Sequence, residues 1–235
     1  MFKSIRTASY ALICVLISVL IPFSALAQNA KPTPLESCAE ELVSEVRFDL
    51  FSKDESLKES VYVVFFMRDV HDITGLYQKN ASVVDDFSKR FVQVERPYVQ
   101  HACLNNQKGE ANPHYNGLMT LLNEFSIIMT RQKDLLYEDF KSINAALTDS
   151  QSKFFEHVDK DKFNRLYDEL VRKDHPDAEK FFGALRKVQR TTLTYQAFVL
   201  NDASESELEV LQSAQSQSFD TAVLVVEELL QQYNI

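Results

Sequence analysis

Residues 117–147, GLMTLLNEFSIIMTRQKDLLYEDFKSINAAL, decide the fold class. Leu118, Leu121, Leu122, Phe125, Ile128, Met129, Leu135, Leu136, Phe140, Ile143 and Leu147 recur at three- and four-residue steps. That spacing lines one face of an α-helix, whereas a half-buried strand would alternate at every second residue. Downstream, Thr148 and Gln151 read as a capping box that opens a new helix through Phe154, Phe155, Val158, Leu166, Tyr167, Leu170 and Val171. His175 and Pro176 mark the next stop and start. Phe181, Phe182, Leu185, Val188, Tyr195 and Phe198 continue the pattern, with the β-branched Thr191 to Thr194 as a weaker stretch. Ser204 and Glu207 form a second capping box ahead of a last helix carrying Leu208, Leu211, Phe219, Val223, Val226, Leu230 and Tyr233.

Upstream the same period holds. Leu35, Cys38, Leu42, Val46, Leu50 and Phe51 define a first helix. A second segment spans Ser56 to Lys79. Its unbroken run Val61 to Met67 would suit a strand, but Phe66, Val70, Ile73 and Tyr77 keep helical spacing, so it reads as a buried helix. A third begins near Asn80 with Val84, Phe87, Phe91 and Val94, and meets Pro97, where a kink or break is expected and a short piece from Tyr98 to Leu104 follows. Asn105 to Asn116, holding Gly109 and Pro113, is the clearest loop. With four glycines in the chain there is little material for sheet turns. The class is all-α, a multi-helix bundle of about six to seven helices, kinked near Pro97 and not simply up-and-down.

The amino terminus has a different logic. Lys3 and Arg6 precede an uncharged run from Ala8 to Val19, then Pro22 and the small-residue triplet Ala25, Leu26, Ala27. Basic, apolar and Ala-x-Ala segments in that order are what a signal peptidase reads, with cleavage after Ala27. A retained anchor would need about 20 apolar residues, and this stretch is interrupted by Pro22 and Ser24. The expected organisation is a signal peptide at 1–27, a flexible lead at 28–34 and one helical domain at 35–235, in the periplasm and without a stable membrane anchor.

Cys14 leaves with the signal, so Cys38 and Cys103 remain and one disulfide is the simplest use of a single pair in an oxidising compartment. In an up-and-down bundle these two positions would lie at opposite ends of parallel helices. The bond therefore requires a turn at Pro97 and an oblique first helix, or it does not form.

Loss of Lys3 and Arg6 takes the formal charge from −9 to −11. Nucleic acid and anionic membrane are poor partners for such a surface, while a basic protein suits it. None of His71, His101, His114, His157 and His175 has Glu three positions before it, and there is no His-Glu-x-x-His, so no metal site is expected; His157 and Asp161 read as a solvated helix pair. Gly-x-Ser-x-Gly, Cys-x-x-Cys-His and glycine-rich phosphate loops are absent too, and no cofactor is expected. Arg68, Asp69, His71 and Asp72 are the densest polar cluster on an otherwise apolar segment and the place to look for acid and base groups. On a helix, 69 and 71 face different ways and 68 with 72 make an ordinary ion pair. Asn80, Ala81, Ser82 is a glycosylation sequon.

Leu147, Thr148, Asp149, Ser150, Gln151 resembles the Leu-Thr-x-x-Gln motif of the small helical periplasmic chaperones similar to Spy. Those proteins carry it twice and this chain once. The resemblance covers five residues and assigns no functional residue.

Three functions fit. The leading expectation is an exported inhibitor or immunity protein that occludes a secreted, basic toxin or effector enzyme, and is not itself an enzyme. The alternatives are a periplasmic chaperone or envelope-stress adaptor, and an enzyme or ligand sensor with an interhelical pocket.

Overall fold

The computed structural model describes Cys38, residues 55–171 and residues 175–235, all of them in one compact unit, Pro34–Ile235. The expected signal peptide, the lead and the first helix apart from Cys38 lie outside the described residues. What is described is all-helical: α1 (Glu55–Thr74), α2 (Gln78–Asn105), a 3-10 turn at Gly109–Ala111, α3 (Tyr115–His157), α4 (Lys160–Val171), α5 (Ala178–Leu200) and α6 (Glu205–Gln232). No strand occurs among the described residues, and none of their helices is long and apolar enough to cross a membrane.

The Val61–Met67 run is helical, with Val63, Val64, Phe66 and Met67 buried. Its pattern does not run on to Tyr77 as the spacing implied. Gly75 takes φ +74°, its N–H closes on the His71 carbonyl at 2.7 Å, and the chain turns. Glycine ends a helix this way because it has no Cβ to clash in the left-handed region.

α2 continues through Pro97 without a break, so the expected separate piece from Tyr98 to Leu104 belongs to the same helix. Proline removes one backbone donor and its ring crowds the carbonyl four residues back, a cost of about 3 kcal/mol. Burial of Phe91 before it and of Tyr98, Val99 and Ala102 after it holds the helix together across that defect. Cys38 and Cys103 are nevertheless bonded, with Cα atoms 6.0 Å apart. No reversal at Pro97 brings them together, and the course of the first helix lies outside the described residues.

The loop after α2 is tied down by Asn112, whose buried amide donates to the carbonyls of Tyr98 and Gln107 at 2.9 and 3.1 Å. The Gly109 N–H donates to the Tyr98 hydroxyl at 3.1 Å. α3 then runs for 43 residues, about 64 Å at 1.5 Å per residue. The capping box expected at Thr148 and Gln151 is not a helix start. Thr148 sits inside α3 and its hydroxyl donates to the Asn144 carbonyl at 2.9 Å. The chain breaks ten residues later, at Val158 and Asp159, where the Asp159 carboxylate accepts from the Asp161 and Lys162 amides at 2.9 Å each. The box at Ser204 and Glu207 does open α6.

α3 spans two cores. Near its start Leu118, Leu121, Leu122, Phe125 and Met129 pack with Leu57 and Val64 of α1 and Val84, Phe87 and Phe91 of α2. At its end Phe154 packs with Phe163, Leu166 and Leu170 of α4, Phe181 of α5 and Ala222, Val226 and Leu229 of α6. Beside the second core lies a polar layer: Gln215 Nε2 donates to Thr192 Oγ1 at 3.2 Å, Thr192 reaches Ser150 at 3.4 Å, and Thr191 meets Ser218 at 2.6 Å. The β-branched Thr191 to Thr194 stretch lies inside α5, as the pattern around it predicted. Thr191 and Thr194 return their hydroxyls to the carbonyls of Lys187 and Arg190, while Thr192 is buried and serves the layer.

Candidate functional site

The four residues of the expected polar cluster lie along α1, and two of them, Arg68 and His71, turn to partners outside the cluster. Arg68 Nε lies 3.5 Å from Asp85 Oδ1 on α2. His71 Nδ1 donates to the Leu76 carbonyl at 2.6 Å and so closes the turn after its own helix. Asp69 is held above the usual carboxylate range by burial, with the Arg68 charge opposing and the Asp72 charge adding to the shift. Asp72 is exposed. None of the described hydrogen bonds joins two of the four. His157 packs its ring against Phe219, with centroids 5.8 Å apart. Among the described residues no three His, Cys, Asp or Glu side chains are grouped to hold a metal ion.

Asn80 is a structural residue. Its side chain is buried in the first turn of α2 and Nδ2 donates to the Val64 carbonyl at 2.9 Å. A glycan on that nitrogen has no room in the folded protein, so the sequon is not an acceptor in this fold.

Two polar knots fasten the helix ends. Tyr77, at φ 60°, accepts a hydrogen bond at 3.2 Å from Asn201 Nδ2 in the turn between α5 and α6. Burial pushes the Tyr77 phenol up to about 12, and Asp139 on α3 adds to the shift. Asn201 also donates to the Ala197 carbonyl at 2.8 Å, which caps α5. At the other end of α6 the Tyr233 hydroxyl donates to Asp177 Oδ2 at 2.8 Å and lies against the His175 ring. These contacts hold α6 at both ends and leave its outer side to solvent.

That outer side is the most distinctive surface of the described residues. No lysine or arginine follows Arg190, whereas Asp202, Glu205, Glu207, Glu209, Asp220, Glu227 and Glu228 do. Glu207 closes the capping box and Glu228 pairs with Lys180 at 2.8 Å. Glu205, Glu209, Asp220 and Glu227 are exposed and have no cation partner among the described residues. Among them stand Val210, 70 % exposed, and Leu224, 65 % exposed. Fourteen positions on a helix separate these two by about 21 Å along the axis and turn them by only about 40° around it. They share one face with the exposed Ser213 and Gln217. Two apolar anchors flanked along one side by the unpaired carboxylates of Glu209, Asp220 and Glu227 form a surface able to hold a cationic one. The clue was in the sequence, as a basic-free stretch over 191–235, but the charge of the whole chain averages it away.

No family model, curated protein or solved structure matches the chain.

Proposed function

We propose that the protein is exported to the periplasm and acts by binding and occluding a basic secreted protein, in the manner of an inhibitor or immunity protein, with α6 as the docking face. The observation that carries this reading is the outer side of α6, where Val210 and Leu224 stand exposed among carboxylates without cation partners. An uncompensated acidic face accelerates encounter with a cationic partner, and desolvated apolar side chains then slow its departure. The Cys38–Cys103 bond is compatible with the oxidising compartment that the signal peptide implies.

The test uses immobilised mature protein and concentrated periplasmic and secreted fractions at low salt. A single basic protein should be retained, form a complex of defined stoichiometry by light scattering, and be released as salt rises. The charge-reversed variant E205K/E209K/D220K/E227K should keep its helical circular dichroism and lose the partner. Retention of no protein at all, or retention that ignores both salt and charge reversal, overturns the reading.

A second reading, a periplasmic chaperone, draws on Ile127 and Leu135, which are 55 % and 72 % exposed on α3. Two such side chains eight positions apart lie along one side of the helix. Suppressed aggregation of unrelated unfolded proteins, unaffected by charge reversal on α6, would favour it over occlusion.

A further inference from the structure

A half-open cleft of about 310 Å³ lies between α2 and α3, lined by Val83, Asp86, Phe87, Arg90, Ile128, Arg131 and Gln132. Its walls follow from helix geometry. Positions 83, 86, 87 and 90 fall at the i, i+3, i+4, i+7 steps of α2, and 128, 131 and 132 at the matching steps of α3. Each helix thus lends the cleft one continuous side. Val83, Phe87 and Ile128 make an apolar floor, stiffened beneath by Phe87 stacking on Phe125 with centroids 3.9 Å apart.

The charges are arranged against the sign of the whole protein. Both helices contribute an arginine to the cleft. Arg90 is engaged by Glu124, whereas Arg131 is exposed and has no hydrogen-bond or ion-pair partner among the described residues. Asp86 is the one carboxylate in the lining, and Lys89 lies 4.0 Å from it. A cleft of this size falls at the small end of ligand sites, which are mostly apolar with a few polar groups that fix orientation. Here the orienting groups are an unpaired guanidinium, a second guanidinium shared with a carboxylate, and the Gln132 amide. One negative charge is accommodated at Arg131, since a planar guanidinium meets a carboxylate with two parallel hydrogen bonds. A second would meet Asp86. The lining residues follow one side of α2 over about two turns and one side of α3 over about a single turn, which suits a flexible tail laid along the helices.

We propose that this cleft binds an aliphatic monocarboxylate, its carboxylate on Arg131 and its hydrocarbon tail along Val83, Phe87 and Ile128. The site is separate from the outer face of α6 and does not rest on the partner-binding reading.

The experiment is a titration of the mature protein with monomeric decanoate, followed by amide chemical shifts, with decanol and decylammonium as controls. Decanoate should give saturable shifts concentrated at residues 83–90 and 128–132. R131Q, a surface change, should melt at the wild-type temperature and weaken decanoate by about tenfold or more, the loss expected for a charge-assisted hydrogen bond. Decylammonium should leave the cleft unshifted and decanol should bind no better than R131Q binds decanoate. The proposal fails if decanoate produces no saturable shifts, if decanol binds wild type as tightly as decanoate does, or if R131Q is unaffected.

Discussion

The amide of Asn201 donates to the phenol of Tyr77 across 3.2 Å, although 124 positions separate them in the chain. The bond joins the turn between α1 and α2 to the turn between α5 and α6. Tyr77 reaches it from a left-handed backbone conformation, φ 60°, that costs an aromatic residue on the order of 1–3 kcal/mol. Burial of the ring and the bond to Asn201 offset that strain. Y77F keeps the ring and removes the acceptor, so its urea midpoint should fall with a loss of about 1 kcal/mol. An unchanged midpoint would mean that the bond contributes nothing net.

Alkaline pH should report the burial of the same side chain, which outweighs the opposing effect of the Asn201 bond. Burial pushes the Tyr77 phenol up to about 12, and desolvation with the bond to Asp177 does the same for Tyr233. An unfolded tyrosine ionises near pH 10, about where the unfolded chain starts to release protons that the folded chain keeps. The contribution is therefore complete below pH 10 and is lost as pH rises through about 12. Stability measured by denaturant titration should be flat approaching pH 10 and fall beyond it. Y77F should fall less steeply.

Reduction of the Cys38–Cys103 bond should be costly. It closes a loop of 65 residues, and the chain-entropy relation for that length gives about 4 kcal/mol. C38S/C103S, or the native protein in dithiothreitol, should unfold at a correspondingly lower denaturant concentration. Equal stability in both redox states would show that the unfolded chain is not constrained as the relation assumes.

Helical period was legible because buried face and period coincide: Val63, Phe66, Met67 and Val70 repeat at three and four residues wherever α1 meets its neighbours. Boundaries were harder to read. Pro97 and the Thr148–Gln151 pair are local signals for ending and starting a helix; at Pro97 burial of Phe91, Tyr98 and Val99 outweighs the signal, and at Thr148–Gln151 the helix runs on between the buried Ile143 and Phe154. Tertiary packing routinely overrides preferences worth a few kcal/mol. The polar cluster on α1 was legible only as a run of residue types, not as a set of contacts. Sequence proximity put Arg68, Asp69, His71 and Asp72 together, but Arg68 turns to Asp85 and His71 to Leu76, contacts set by the turn at Gly75 and the return of α2.

Pro97 offers a direct test of that override. P97A restores a donor to the middle of α2 and removes the ring from the carbonyl of Gln93, while Tyr98 and Val99 keep their burial. The unfolded chain gains freedom at the same time, which subtracts part of the benefit. The balance should favour the variant, with a melting temperature above wild type. A lower one would show that the core beside α2 is fitted to a bend made by the proline.

The boundary between α3 and α4 supplies the sharpest contrast, because two residues compete to mark it. Thr148 has the sequence of a cap but returns its hydroxyl to Asn144 within a continuous helix. A mid-helix threonine used in this way contributes little, and alanine is the better helix former. T148A should therefore melt at or slightly above the wild-type temperature. Asp159 lacks a paired glutamate three residues on, yet it holds the two free amides at the start of α4. D159A should lower the melting temperature. The Lys162 amide first of all, and then the Asp161 amide, hold the Asp159 carboxyl below its usual range despite some opposing desolvation. Its contribution is accordingly present above about pH 4, the unfolded value, and disappears as pH falls through the lower folded value. The gap in melting temperature between wild type and D159A should close on acidification, whereas T148A should track wild type throughout. A destabilised T148A with an unaffected D159A would move the start of the helix back to Thr148.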